Sequence, residues 1–146
     1  MGAINISIVL YKTQKEKFLK IIESCLGCFL VSRLYLVNNS PTNELRELSK
    51  LDNRIIYIFT NKNLSCGRTH NIAFQESIKQ KVKYHLILNP DVYPRLQVLE
   101  NLYAFMKKHQ DVGLVMPKVH FSDSSVQYLC KLLHAPFNLI GCGFLN

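Results

Sequence analysis

Five short apolar segments alternate with helical patterns along most of this chain, and this alternation constrains the fold more than any other feature. The segments predicted as strands are Ile4–Tyr11, Leu34–Val37, Arg54–Thr60, Tyr84–Leu88 and Val112–Met116. The first of them, INISIVLY, is rich in β-branched residues and apolar on both faces, as a strand buried between two helix layers should be. The sequence therefore predicts a sheet with mostly buried strands.

The intervening segments carry helix signals. One helix is predicted from a Thr13 N-cap to Gly27, and others are predicted over Thr42–Leu51, Arg68–Lys79 and Leu96–His109. Because consecutive strand–helix–strand units are right-handed, we expect an α/β fold: a Rossmann-like, mostly parallel sheet with helices on both faces. The pattern weakens after Pro117 and the chain stops on an apolar stretch, so we expect one domain over residues 1–118 and an incomplete region over 119–146.

Composition narrows the class of protein. The 146 residues are 48% hydrophobic, no apolar run approaches the roughly 20 residues of a membrane-spanning helix, and the first residues do not form a secretion signal. We therefore expect a soluble, cytoplasmic protein. The net charge of +8 favours anionic partners. Most basic residues share helical segments with acids, however, so solvated helix faces are favoured over a nucleic-acid surface, and no nucleic-acid partner is expected.

The cysteine pattern favours a structural interpretation. Five cysteines without a secretion signal argue against a disulfide framework. The spacing Cys25-Leu26-Gly27-Cys28 is compatible with a zinc or redox motif, but no second Cys/His pair accompanies it. The pair also ends an amphipathic helix rather than beginning one. We expect Cys25 and Cys28 to be small buried apolar side chains.

Polar residues cluster directly after four of the predicted strands, in Tyr11–Thr13, Asn38–Ser40, Asn61–Asn71 and Asn89–Asp91. These residue types also form ordinary turns. Their convergence at the carboxyl edge of a parallel sheet nevertheless favours a binding site. The sequence contains neither a P-loop nor a GxGxxG loop after the first strand, so a bound diphosphate would need another neutralising group. Mg²⁺ or Mn²⁺ held by Asp91 is the candidate cofactor.

Four motifs occur in a characteristic order: ISIVLY, LVNNS, NKNLSCGRTHNIAF and LILNPDV. Together they resemble glycosyltransferase family 2, and especially its rhamnosyltransferase-like members. The resemblance implies a GT-A fold, with residues 1–118 as a nucleotide-sugar-binding domain and 119–146 as the start of the acceptor-side region. It also implies a UDP- or dTDP-linked sugar as donor and a saccharide or lipid-linked acceptor, as in surface polysaccharide synthesis.

The resemblance assigns roles to particular residues. Asn38 stands where the family commonly has an Asp that accepts a hydrogen bond from the pyrimidine, and Arg68 and His70 could reach the phosphates at a helix N-terminus. Asn89-Pro90-Asp91 replaces the usual Asp-x-Asp, which leaves Asp91 as the metal ligand beside phosphate and water. The candidate nucleotide-sugar-binding residues are Tyr11, Thr13, Asn38, Asn63, Gly67, Arg68, Asn71, Asn89 and Asp91.

The resemblance leaves the catalytic residues unknown. Family members transfer the sugar with inversion, and their carboxylate base lies in a C-terminal half that this chain does not include. Asp123 is a poor candidate for that base. A non-catalytic nucleotide-sugar-binding or assembly module, left by truncation of such an enzyme, is therefore the alternative. A nucleotidyltransferase would carry a Gly-rich basic loop after the first strand, where this chain has Tyr11-Lys12-Thr13. Self-association and peripheral contact with an acidic inner membrane are also compatible with the apolar C-terminus and the positive charge.

Overall fold

A computed structural model describes residues 2–121 and 123–127, apart from the side chain of Lys17. It confirms the predicted α/β class. The strands are β1 (Ile4–Leu10), β2 (Val31–Asn38), β3 (Ile55–Phe59), β4 (Tyr84–Leu88), β5 (Val119–His120) and β6 (Val126–Gln127). The α-helices are α1 (Lys15–Leu26), α2 (Cys66–Lys79) and α3 (Leu96–Lys108), and a 3₁₀ helix covers Glu44–Lys50.

The main sheet has four parallel strands in the order β3-β2-β1-β4. Ile6 of the central strand β1 pairs with Leu34 of β2 on one side and with Leu86 of β4 on the other. The chain therefore adds β2 and β3 on one side of β1 and then returns to place β4 on the opposite side. Such a reversal opens a crevice between the carboxyl ends of β1 and β4, which is where ligands bind in open α/β sheets.

One face of this sheet carries the apolar core. The side chains of Ile6, Ile8 and Leu36 project from this face and are fully buried. Helix α1 covers them through an apolar stripe at helical spacing, formed by Phe18, Ile21, Ile22 and Cys25. Leu45 and Leu48 of the 3₁₀ helix and Leu99 of α3 join the same cluster. Leu45 and Leu48 therefore face the core from the segment predicted as a helix over Thr42–Leu51.

The opposite face is more polar, although the sequence of β1 predicted an apolar one. Tyr35, Val37 and Ala73 form a small apolar cluster between β2 and α2. Asn5 and Ser7 of β1 are also buried on this side, and both bond to polar side chains of α2. Buried polar groups remain favourable only when they are paired, so α2 is attached to the sheet largely by hydrogen bonds.

Two predictions about the strands were wrong. Val112–Met116 is not a strand: it pairs with no other described segment, and Leu114 is 88% exposed. An apolar run becomes a strand only when a neighbouring strand accepts its hydrogen bonds. β4 was expected to be fully buried, but Ile87 is 58% exposed, since β4 forms an edge of the described sheet. The other predicted elements were found with ends shifted by up to three residues, as is usual for sequence-based boundaries.

The chain divides into two compact units, residues 1–113 and 114–146. Within the described part of the second unit, β5 and β6 form a short antiparallel hairpin in which Val119 pairs with Gln127. Asp123 lies in its turn and accepts hydrogen bonds from the backbone N–H and the hydroxyl of Ser125 at 2.9 and 2.6 Å. No helix in the described ranges is both long and apolar enough to cross a membrane.

Candidate functional site at the carboxyl edge of the sheet

Hydrogen bonds join the loops that follow β1, β2 and β3. The backbone N–H of Lys12 donates to the hydroxyl of Ser40 at 2.8 Å, and the N–H of Asn39 donates to the carbonyl of Leu10 at 2.8 Å. The Asn39 side chain then donates to the carbonyl of Leu64 in the loop after β3 at 2.9 Å. Three of the four predicted polar clusters therefore form one connected rim at the carboxyl edge.

The loop after β1 contains two of the predicted binding residues. Tyr11 is 47% exposed, and its backbone N–H donates to the hydroxyl of Thr13 at 3.2 Å. Thr13 thus closes a small turn, and the residue flanking α1 is Gln14 rather than the predicted Thr13 cap. Lys12 has a positive φ of 49°, and its ammonium lies 5.6 Å from the centre of the Tyr11 ring. The turn presents an aromatic ring and a cation to solvent beside the β1–β4 crevice.

Asn38 is held inside the protein at the end of β2. It is only 1% exposed, and its side-chain amide donates to the carbonyl of Thr42 at 2.8 Å and to the hydroxyl of Tyr57 at 2.7 Å. Its side-chain oxygen accepts the backbone N–H of Ser40 at 2.9 Å. These bonds fix the turn after β2. Burial raises the pKa of the Tyr57 phenol, which keeps that hydroxyl protonated.

Asn39 organises the rim, although its neighbour Asn38 was the residue predicted from the motif. Asn39 is 4% exposed. Besides Leu64, its amide reaches the hydroxyl of Thr69 in α2 at 2.6 Å, and its oxygen accepts from the hydroxyl of Thr60 at 3.1 Å. One side chain therefore connects β2, the end of β3 and the first turn of α2. The doubled Asn in LVNNS was the sequence signal for it.

The first turn of α2 has the properties of an anion-binding helix end. Ser65 occupies the N-cap position without a side-chain cap, and the first turn contains no acidic residue. The described residues provide no hydrogen-bond partner for the backbone N–H groups of Cys66, Gly67 and Arg68. Such N–H groups, together with the positive end of the helix dipole, favour negative charge.

The predicted residues of this loop and helix are accessible. Asn63, Gly67, Arg68 and Asn71 are all exposed. A Cβ atom added to Gly67 would meet nothing within 4 Å, so the glycine is not required by internal packing. Its missing side chain leaves the backbone N–H groups of the first turn open to a ligand.

His70 was predicted at the mouth of α2, within reach of phosphate, and this prediction was wrong. The residue is 5% exposed, and its Nδ1 lies 2.8 Å from the hydroxyl oxygen of Ser7 in the middle of β1. His70 lies in the second turn of α2 and shares the buried face of the helix with Ala73 and Ser77, three and seven residues further along. Burial lowers the pKa of His70, so the ring is neutral.

Asn89, Pro90 and Asp91 form a turn directly after β4, on the other side of the crevice from the Tyr11 loop. The backbone N–H of Val92 donates to the carbonyl of Asn89 at 3.3 Å, and the side chains of Asn89 and Asp91 are exposed. The described ranges contain no group of three or more His, Cys, Asp or Glu able to hold a metal ion. Asp91 therefore fits a divalent cation only if a ligand supplies further oxygens.

Cys25 and Cys28 are fully buried in the core, as expected for structural residues. Burial, with a smaller contribution from Cys28, raises the pKa of the Cys25 thiol to about 12. A thiol with such a pKa is neither a nucleophile nor a ready zinc ligand at neutral pH. The pair has no part in the carboxyl-edge site.

Comparison with known proteins agrees with the fold and gives the family. The family described as Glycosyl transferase family 2 matches residues 7–140, so this chain belongs to that family of glycosyltransferases. An uncharacterized glycosyltransferase of Methanocaldococcus jannaschii, MJ1057, is 30% identical over 89 residues, which cover 60% of this chain and 30% of that protein.

Solved structures of S. aureus TarS share the fold. The structure of TarS residues 1–349 gives a TM-score of 0.61 at 17% identity and covers 75% of this chain and 33% of its own. A second TarS structure gives 0.61 at 16% identity and covers 84% and 24%. The chain thus spans about a third or less of the length of each of these proteins.

Proposed function

We propose that the carboxyl edge of the sheet binds a nucleotide-diphosphate sugar, as the donor-binding part of a family 2 glycosyltransferase. The observation that carries the proposal is the connected rim of three polar loops, which ends at a helix N-terminus with free N–H groups beside the β1–β4 crevice. The class of enzyme comes from the family, and the donor class from the chemistry of this edge.

The diphosphate would contact the first turn of α2. Gly67 exposes the backbone N–H groups there, and Arg68 adds a guanidinium that can bind phosphate in a bidentate manner. An anion at such a helix end gains about 0.3–1 kcal/mol from the dipole at an exposed site, before any side-chain contact is counted. Asn63 and Asn71 supply amides on either side. The Tyr11 ring provides an aromatic surface for the base or the sugar.

Mg²⁺ or Mn²⁺ is proposed as the cofactor, with Asp91 as its protein ligand and Asn89 beside it. A single exposed carboxylate fits a cation that arrives with the nucleotide, because a hard cation needs about six oxygens and the phosphates and water would supply the rest. When bound, the cation would neutralise the charge of the diphosphate leaving group. The Asn-Pro-Asp form favours a rhamnosyltransferase-like donor preference, with UDP- or dTDP-linked sugars as first candidates.

Inverting transfer to a saccharide or lipid-linked acceptor in surface polysaccharide synthesis completes the proposal. No catalytic base is assigned. Ser125 donates two hydrogen bonds to one carboxylate oxygen of Asp123, and these bonds lower the pKa of Asp123, so it is a weak base. The alternative is a binding or assembly module that retains the donor site without completing transfer.

A cytoplasmic location, with peripheral contact at an acidic inner membrane and self-association, belongs to the same proposal. The net charge of +8 supports contact with anionic lipid. Exposed apolar side chains support self-association. Phe29 and Leu114 have the highest exposed fractions among the described large apolar residues, at 76% and 88%.

Thermal unfolding with UDP-, dTDP- and GDP-sugars, with and without Mn²⁺, tests the donor site. We expect at least one donor to raise the unfolding temperature, more strongly with Mn²⁺. Asp91→Ala should abolish the metal-dependent part, whereas Asp111→Ala, which removes an exposed carboxylate after α3, should leave it intact. If no donor raises the unfolding temperature, the proposed donor site is wrong. If the shift survives Asp91→Ala, the metal assignment is wrong.

A further inference from the structure

A second cavity lies at the opposite edge of the sheet, where β1, β2 and β4 begin. It has a volume of about 770 Å³, which lies within the range of small-molecule sites. Its lining includes Arg33, Lys81, Lys83 and Lys107, and no aspartate or glutamate. The seven residues of β1 separate this edge from the proposed donor site by roughly 20 Å.

The positive charge of this cavity is not neutralised by the described residues. Ion pairs within the described ranges join Lys15 to Glu47, Arg54 to Asp52 and Lys79 to Glu76, and none includes a cation of the cavity. Lys83 donates to the neutral amide oxygen of Gln110 at 2.7 Å, and Arg33 donates to the carbonyl of Ser32 at 3.2 Å. None of the four cations is therefore paired with a carboxylate of the described residues.

Helix dipoles offset only part of that charge. Both α2 and α3 end near this edge, and each helix C-terminus carries about half a negative charge. The two helix ends together offset about one unit, whereas the side chains supply four. Cations that only capped the helix ends would balance these dipoles, whereas the charge of the four cations here exceeds that of the dipoles about fourfold.

One wall of the cavity is aromatic, and another is formed by a close backbone approach. Tyr84 and Tyr103 pack edge to face with ring centres 5.6 Å apart, and the Lys83 ammonium lies 5.5 Å from the centre of the Tyr84 ring. At the other wall the chain passes so close to β2 that a Cβ atom on Gly2 would lie 2.5 Å from the backbone nitrogen of Ser32. Only glycine fits there, so the first residues form a fixed side of the cavity.

We propose that this basic cavity is a second anion site that binds a phosphate or diphosphate group, with the tyrosine pair contacting the apolar or planar part that carries it. The guanidinium of Arg33 supplies fork geometry for phosphate oxygens, and the three lysines supply point charges. The phosphate belongs either to a soluble ligand or to a lipid headgroup. The site is independent of the proposed donor site, because no residue is shared between them.

Heteronuclear NMR with inorganic pyrophosphate, in the presence of EDTA, tests the cavity. We expect the amide signals of Ala3 and of Lys81–Lys83 to shift on titration. Lys107→Gln should weaken binding about fivefold to tenfold, whereas Lys108→Gln, its exposed neighbour outside the cavity, should change it less than twofold. Signals from Gly67 and Arg68 report the donor site separately, so failure at one edge leaves the other proposal standing.

Vesicles distinguish the two sources of phosphate. The site is assigned to a lipid headgroup if the protein sediments with phosphatidylglycerol vesicles but not with phosphatidylcholine vesicles. Lys107→Gln should then reduce this sedimentation, and Lys108→Gln should not. Pyrophosphate binding without vesicle binding assigns it to a soluble ligand. The proposal is overturned if millimolar pyrophosphate shifts no amide signal of Ala3 or Lys81–Lys83 and vesicle binding is either absent or equal for both variants.

Discussion

The hydroxyl oxygen of Ser7 lies 2.8 Å from Nδ1 of His70 and 2.8 Å from Nε2 of His85, so one serine of β1 connects two imidazoles. His85 continues to the hydroxyl of Ser77 at 2.7 Å, and Ser77 accepts from Asn5 at 2.9 Å. A hydroxyl can donate to one ring and accept from the other, so the chain is satisfied when both rings are neutral. Both ring nitrogens of His85 have a hydroxyl partner, so protonating His85 removes an acceptor that the network uses.

This network predicts a loss of stability in mild acid. Burial, and secondarily the neighbouring His70, lowers the pKa of His85 from 6.5 to about 4. The unfolded chain therefore binds more protons than the folded one below pH 6.5, and stability falls as the pH drops through that window. Because the ring is partly accessible to water, we expect a loss of about 1–2 kcal/mol rather than the full effect.

Denaturant unfolding between pH 7.5 and pH 4.5 measures this dependence. The groups in contact with His85 are Ser7, Ser77 and the Phe74 ring, which carry no charge at these pH values, and His70 is its titratable neighbour. His85→Gln should lower stability at neutral pH and flatten the slope between pH 6.5 and 4.5. A His85→Gln variant with the slope of the unaltered protein would contradict the assignment.

Asn39→Ala should destabilise the protein by about 2–4 kcal/mol, because it removes three side-chain hydrogen bonds of a buried amide, one of them to the carbonyl of Leu64. We also expect weaker donor binding, since the loop before α2 loses its connection to β2. Asn63→Ala is the matched control: Asn63 is exposed, so this change should alter stability by less than about 0.5 kcal/mol while still reducing donor binding. Equal unfolding curves for the two variants would exclude the role assigned to Asn39.

Lys81→Gly should stabilise the chain by about 0.5–1 kcal/mol. Lys81 follows the end of α2 with a φ of 56°, and its N–H and that of Val82 donate to the carbonyls of Ile78 and Ser77 at 2.9 and 3.1 Å. This is a Schellman ending, in which glycine is preferred because side chains are strained in the left-handed region. Thermal unfolding measures the gain, and Lys79→Gly, within the helix, should instead be destabilising. A loss of stability in Lys81→Gly would contradict the argument.

Thiol labelling should separate the described cysteines by burial. Cys66 is exposed at the start of α2, whereas Cys25 and Cys28 are buried. We expect iodoacetamide at pH 8 to modify Cys66 at least about tenfold faster than Cys25, because the thiolate is the reactive form and burial suppresses it. Peptide mass spectrometry resolves the sites, and labelling in denaturant provides the control. Rapid labelling of Cys25 in the folded protein would contradict the structural role assigned to Cys25 and Cys28 and would favour a redox role.

The sequence predicted the sheet better than it predicted the packing on it. Apolar runs such as INISIVLY and YHLIL were located within a residue, because the strand signal is local. The error at Val112–Met116 arose because strand pairing depends on a partner that local pattern does not reveal. His70 was misplaced for a related reason: the face of α2 that meets the sheet is set by tertiary contacts, here the pairing of His70 with Ser7 of β1, 63 residues away.

The candidate site was predictable in outline. The positions of the polar clusters at strand ends follow from the fold, and the exposure of Asn63, Arg68 and Asp91 agrees with their expected roles. The internal attachment of Asn38 and the bridging by Asn39 were not predictable, because both depend on contacts between residues distant in sequence. Which amides face inward is decided by tertiary structure.

The polar contact between α2 and the sheet has a mechanical consequence. Two smooth apolar surfaces can slip past one another with little change in buried area, whereas directional bonds fail together when a helix advances by one turn. The hydrogen bonds of Ser7, His70 and Ser77 therefore fix the position of α2 along its own axis relative to the sheet. They fix how far the first turn of α2 projects beyond the ends of the strands, and so set the depth at which a phosphate would meet it.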